Sequence, residues 1–129
     1  MTVKQDVAII RGDGIGVDVT DATIEIMEVA MSKVGSCGLN YNEILAGAGY
    51  FEEYGIDIEA GGEEKAGQSD AIFLCAIGLP SIRHADGTEI SPHLRLRDRY
   101  GLYAGVRPIK ASPMHRKDWR TRALPRLIW

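Results

Sequence analysis

A short, apolar, β-branched run, Asp6-Val7-Ala8-Ile9-Ile10, stops at Gly12-Asp13-Gly14-Ile15-Gly16, and helical periodicity begins at once. Continuous apolarity over so few residues reads as a buried strand covered on both faces, and the glycines supply a sharp turn out of it. Beyond Gly16, the residues Val19, Ala22, Ile26, Val29, Ala30 and Val34 fall on one helical face, with Asp18, Asp21, Glu25, Glu28 and Ser32 on the other. Gly35-Ser36-Cys37-Gly38 stops that helix, and Leu39 to Leu45 alternates as a second strand. Strand, crossover helix and strand within about forty residues make a βαβ unit, with a right-handed crossover and parallel pairing.

Further elements fit the same class. Ala48 to Tyr54 and Glu63 to Gln68 have helical patterns, and Asp70 to Ile77 is a third apolar strand, expected to be buried with Cys75 packed and inert inside it. Gly78-Leu79-Pro80 through Glu89 forms a long loop at a strand's carboxyl end, the usual place for a binding loop. Ser91-Pro92 suits an N-cap and first helical position, so a helix runs from Pro92 to about Tyr100 in spite of the alternation in Leu94-Arg95-Leu96-Arg97. Leu102 to Arg107 reads as a further strand stopped by Pro108. The fold class is therefore α/β, a mostly parallel sheet with flanking helices, and ligands are expected at the carboxyl edge of the sheet.

Composition removes several functions. At 129 residues with 45% hydrophobic content and a net charge of -3, the chain suits one globular domain rather than a disordered segment. No apolar window is long enough to span a bilayer, the first residues lack a secretion signal, and two cysteines make no disulfide scaffold, so a cytoplasmic protein without membrane or nucleic-acid partners is expected. The charge is uneven: residues 1–113 hold 10 Lys/Arg against 17 Asp/Glu, whereas residues 114–129 hold 5 against 1, together with Trp119 and Trp129.

Candidate chemistry gathers at two places. The Gly12 to Gly16 turn has the form of an anion or nucleotide site, with helix N-terminal amides pointing outward. Val17 stands where a dinucleotide fingerprint wants Gly or Ala, and Asp13, Asp18 and Asp21 add negative charge, so a tight turn whose acids cap the helix dipole is the competing reading. Arg95, Arg97, Arg99 and Arg107 are the densest basic group outside the tail. Guanidinium forks bind carboxylates bidentately, which suits a di- or tricarboxylate, although a solvated helix face is the commoner fate of any one arginine. His84, His93 and His115 share no register for a metal.

Three segments together, Arg11-Gly12-Asp13-Gly14-Ile15-Gly16 with Val19-Thr20, Cys75-Ala76-Ile77-Gly78-Leu79-Pro80, and Leu96-Arg97 followed by Arg107-Pro108, resemble the amino-terminal part of the isocitrate/isopropylmalate dehydrogenase family over about residues 5 to 110. The resemblance implies an incomplete isopropylmalate dehydrogenase-like fold rather than a Rossmann domain. It also implies oxidation of a malate-type 2-hydroxy acid by NAD or NADP, with Mg or Mn polarising the new carbonyl for decarboxylation, in a homodimer. Arg97 and Arg107 resemble the arginines that grip the malate carboxylates; Gly14, Ile15, Gly78 and Ile90 match positions near the nicotinamide. Leu94 favours an apolar substituent and Ser91 a polar one; the preferred substrate is 3-isopropylmalate, with isocitrate and tartrate as alternatives.

The departures shape the functional expectation. The family's catalytic tyrosine and lysine and its metal-binding aspartates have no counterpart, so no catalytic or metal residue is assigned. Residues 1–110 are expected to be the amino-terminal part of a dehydrogenase domain, and 111–129 an anomalous basic tail, frameshifted or disordered. The expected function is that of an inactive amino-terminal fragment; the alternative is a non-catalytic carboxylate-binding or regulatory subunit that pairs with a full-length homologue. An uncovered strand edge and uncovered apolar helix faces are expected to make the chain prone to association.

Overall fold

A computed structural model of the chain describes residues 3–35 and 37–107. Pro108 and the basic tail lie outside them. The element order is β1 (Val3–Ile10), α1 (Ile15–Val34), β2 (Cys37–Glu43), α2 (Ala48–Tyr54), α3 (Gly62–Gln68), β3 (Ala71–Leu74) and α4 (Pro92–Arg99). The strands form a parallel sheet in the order β2-β1-β3. β1 is central, with Val7 opposite both Tyr41 and Ala71, so both its edges are paired, and Val7 to Ile10, which alternate between the two faces, are all buried.

Successive crossovers step in opposite directions across β1, which puts α1 on one face of the sheet and the α2–α3 connection on the other. The second face carries the larger core: Ala8 and Ile10 pack with Ile44, Ala46, Ile58, Ala66 and Leu96, backed by Ile72, Leu74 and Ile77. α1 starts at the glycine turn and ends at Gly35, whose left-handed conformation lets its N–H bond to the Met31 carbonyl at 2.9 Å.

Several expectations are corrected. On α1 the buried residues are Gly16 and Thr20, with Thr23, Ile24, Met27 and Met31 half-buried, whereas Val19, Ile26, Val29 and Val34 are exposed. Small residues bring the helix close to the sheet, and the Thr20 hydroxyl is satisfied by the Gly16 carbonyl at 2.7 Å, so the more apolar face is left without a neighbour among the described residues. β2 begins two residues earlier than its alternation indicated because its ladder follows β1 from Val3. β3 is shorter than the apolar run and only half-buried. Its ladder ends where the Cys75 N–H meets the Ile10 carbonyl, after which the Ala76 carbonyl turns to accept the Asp13 N–H. Cys75 therefore lies just past the strand and is half-buried.

Ser91 is the N-cap of α4, but its side chain makes no capping bond; Pro92 at the first position removes one of the donors that needed it. The 78–89 loop is tightly folded: His84 and Thr88 close a turn, Arg83 and Glu89 form an antiparallel bridge, and Thr88 bonds to Asp86. Leu102 to Arg107 is not a strand but exposed chain, with Tyr103 97% exposed, because no described strand offers it a ladder. No helix among the described residues is long and apolar enough to cross a membrane.

Candidate functional site

The loops that follow β1 and β3 meet at the carboxyl edge of the sheet. Their close approach explains two of the three glycines in the first turn. A Cβ on Gly12 would lie 2.0 Å from the Ala76 carbonyl oxygen, and one on Gly16 would lie 2.4 Å from that of Arg11. Both positions are therefore closed by backbone, not opened for a ligand. Gly14 differs: it is exposed, and a Cβ there would meet only the Leu79 side chain at 4.0 Å. Gly78 is likewise exposed, with nothing within 4 Å of such a Cβ. Gly14, Ile15 and Gly78 thus border one open edge, with Ile15 exposed at the start of α1. Ile90 is 1% exposed and belongs to the packed interior.

The helix-start amides are partly used internally, since Gly16 N–H bonds to the Asp13 carbonyl and Val17 N–H to that of Gly14. The acids divide by role. Asp21 pairs with Arg11 at 2.5 Å, and Glu43 pairs with the same guanidinium at 2.7 Å, which raises the Arg11 pKa. Asp13 is buried, and its carboxylate accepts N–H bonds from Ala48 and Gly49 at 2.8 Å and from Gly78 at 2.7 Å. It caps α2 rather than α1. From the sequence Asp13 reads as negative charge at the turn or as an acid that caps the α1 dipole; an acid between two glycines soon after the central strand is the signal for its actual role.

The second group lies on α4. Leu96 and Pro92 face the core. Arg95 forks onto the Asp57 carboxylate at 2.9 and 3.0 Å and also bonds to Glu63; Arg99 bridges Glu63 at 2.5 Å and Glu64 at 2.6 Å. The pairing with Asp57 and then Glu63 raises the Arg95 pKa further, while Arg95 and then Arg99 hold the Glu63 carboxyl below its ordinary range. Two of the four arginines are thus committed to α3 and the chain before it. Arg97 makes no ion pair among the described residues and is exposed, as is Leu94 three residues before it, with Ser91 a turn earlier. Residues three apart share a helix face, so α4 turns Leu94 and Arg97 away from the face that binds α3. Arg107 is exposed farther along the chain and is brought to no other candidate residue.

Among the described residues no group of three or more His, Cys, Asp or Glu side chains could hold a metal ion, so the donor set does not fit a divalent cation.

Comparison with known proteins shows the family and the fold. The family described as isocitrate/isopropylmalate dehydrogenase matches residues 6–125, a range that runs into the basic segment. A 3-isopropylmalate dehydrogenase of Moorella thermoacetica is 31% identical over 121 residues, covering 86% of this chain and 34% of that protein. A probable tartrate dehydrogenase/decarboxylase of Agrobacterium vitis is 30% identical, covering 83% and 30%. The crystal structure of a β-decarboxylating dehydrogenase from Thermococcus kodakarensis in its apo form superposes with a TM-score of 0.61 at 29% identity, covering 77% of this chain and 27% of that one. The chain spans about a third of the length of the curated relatives it matches.

Proposed function

The chain belongs to the isocitrate/isopropylmalate dehydrogenase family, and on that footing we propose that it supplies the substrate-facing helix and the nicotinamide-facing loops of an NAD- or NADP-dependent β-decarboxylating dehydrogenase of 3-isopropylmalate. Alone, it binds without turnover. The observation that carries this reading is the division of labour on α4: Arg95 and Arg99 are neutralised by acids, whereas Arg97 keeps an exposed guanidinium beside exposed Leu94. A free fork next to an apolar side chain suits a carboxylate that carries an alkyl substituent. Gly14, Ile15 and Gly78 border the space for the nicotinamide ring. The divalent metal, whose chemistry is to hold the enolate oxygen as carbon dioxide leaves, is assigned to none of the described residues.

Isothermal titration with 3-isopropylmalate, malate, isocitrate and tartrate tests the reading. The isopropyl group should add about tenfold in affinity over malate, in keeping with a few partly covered carbons at about 0.8 kcal/mol each. Arg97→Ala should abolish measurable binding. Tighter binding of isocitrate or tartrate overturns the substrate, and unchanged binding by Arg97→Ala overturns the site. The uncovered α1 face favours a second reading, a non-catalytic carboxylate-binding subunit; it predicts a stable complex on mixing with a full-length homologue.

A further inference from the structure

We propose that Asp13 is a positioning residue, a buried carboxylate that ties three loops together and fixes Gly78 beside Gly14 and Ile15. The inference rests on the reading of those three residues as the nicotinamide wall.

The carboxylate is 8% exposed and has no cationic partner among the described residues. Its charge is met by backbone alone. Oδ2 accepts from Ala48 and Gly78, and Oδ1 from Gly49. Ala48 and Gly49 open α2, where N–H groups lack partners within the helix and the residue at the N-cap, Gly47, has no side chain to offer. Asp13 therefore caps a helix 35 residues away. The fit is tight, because a Cβ on Gly47 would lie 2.7 Å from Oδ1.

The third donor gives the clamp its functional meaning. Asp13 grips the segment after β3 twice: its own N–H donates to the Ala76 carbonyl at 2.7 Å, and its side chain accepts from Gly78 at 2.7 Å. Residue 77 is held between the two bonds. Gly78 has a φ of 113°, a conformation open to glycine, and nothing else stands within 4 Å of where its Cβ would be. Without the carboxylate, the place of that exposed residue is set by the packing of Ile77 before it and by no hydrogen bond of its own N–H among the described residues. The residue that sets it is the immediate neighbour of Gly14, so one side chain couples both borders of the proposed nicotinamide space.

Asp13→Asn keeps the shape but removes the charge that the three N–H donors share, so the bond from Gly78 becomes a weaker neutral one even where the amide oxygen still faces it. The unaltered chain and the variant are compared by NMR. In the unaltered chain the Ala48, Gly49 and Gly78 amides should exchange slowly, and in the variant Gly78 should exchange at least about tenfold faster while β1 amides are unaffected. Reduced nicotinamide mononucleotide should shift Gly14, Ile15 and Gly78 and bind about tenfold more weakly to the variant, while the affinity for 3-isopropylmalate, read at Leu94 and Arg97, stays within about twofold. Equal loss of both ligands would mean a merely structural role and overturn the proposal, as would unaltered exchange at Gly78. If the unaltered chain does not respond to the mononucleotide, the nicotinamide reading fails, and the Gly78 exchange rate alone decides the clamp. Should Asp13→Asn not fold, the scalar coupling across the hydrogen bond between the Gly78 nitrogen and the Asp13 carboxylate carbon is measured in the unaltered chain; its absence overturns the proposal.

Discussion

Gly16→Ala sets two well-known effects against each other at one position. Gly16 is the second residue of α1, where alanine is favoured over glycine by up to about 1 kcal/mol. The added methyl group, however, would lie 2.4 Å from the Arg11 carbonyl oxygen, 2.8 Å from that of Ala76 and 3.3 Å from the Ala76 nitrogen. All three are backbone atoms, and Ala76 is held by the Asp13 N–H, so relief requires both the turn at Arg11 and the β3 loop to shift. Overpacking of this kind costs about 1–3 kcal/mol or more. With contacts this short, the upper part of the range applies, and a net loss of about 2 kcal/mol remains after the helix gain. For a domain of this size that is a fall of roughly 8–15 °C in Tm. The assay is urea and thermal unfolding followed by far-ultraviolet circular dichroism. Gly49→Ala is the control: it is also the second residue of a helix, but its new Cβ would meet only the Asp13 carboxylate, at 3.4 Å. It should be neutral or slightly stabilising. If Gly16→Ala is as stable as the unaltered chain, the claim that backbone closure rather than ligand access dictates this glycine is wrong.

Other predictions follow from single side chains. Burial, and then the nearby Glu28 carboxylate, pushes the Tyr41 phenol up to about 12, so it stabilises the fold fully below its ordinary value near 10, and that contribution is lost as pH rises from there towards 12. Tyr41→Phe should flatten this alkaline loss and, because the hydroxyl has no hydrogen-bond partner among the described residues, gain up to about 1 kcal/mol at pH 7; a loss in urea unfolding refutes the assignment. The Glu63 carboxyl, held below its ordinary range by Arg95 and Arg99, contributes stability above that range and loses it as pH falls through its folded value. Glu63→Gln should lower the urea midpoint at pH 7 and weaken its acid dependence; an unchanged acid limb refutes the network. Ile26→Lys, on the exposed apolar face of α1, should reduce self-association in sedimentation velocity without lowering the urea midpoint; unchanged association would clear that face.

The sequence was most legible where local chemistry decides the outcome. The β1 run, the glycine turn, the Gly35 stop and the Ala48 to Tyr54 helix all follow from periodicity and turn residues, and each lies where its pattern placed it, except that β1 begins three residues before Asp6, at Val3. Legibility failed where the answer depends on a distant neighbour. Leu102 to Arg107 has the composition of a strand, yet a strand is a ladder shared between two segments, and no described segment supplies the other half. The α1 face was misassigned for the same reason. Apolar periodicity marks the face that can be buried, but the sheet accepts the face whose small side chains, Gly16 and Thr20, allow close approach. Asp13 was invisible in its true role because its partners, Ala48, Gly49 and Gly78, are 35 to 65 residues away.

The arginines of α4 show how such distant partners sort residues that look alike in sequence. Arg95, Arg97 and Arg99 alternate with two leucines and an aspartate, and nothing local separates them. A helix turns by 100° at each residue, so Arg95 and Arg99 return to one face with Leu96 while Arg97 with Leu94 lies on another. Acids from α3 and the preceding turn complete the separation. Asp57, Glu63 and Glu64 neutralise the first pair, which anchors the helix and, under the proposed function, would keep two guanidinium groups from competing for a substrate carboxylate. If the acids were absent, α4 would present a broad cationic surface that accepts any polyanion. With them in place, Arg97, which makes no ion pair among the described residues, stands beside exposed Leu94, and selectivity for an alkyl-substituted diacid becomes physically possible. Glu63→Gln combined with Glu64→Gln removes both partners of Arg99, whereas Arg95 stays on Asp57: malate and isocitrate should then gain affinity relative to 3-isopropylmalate, because a freed arginine rewards charge and not the alkyl group, and unchanged relative affinities would refute the argument.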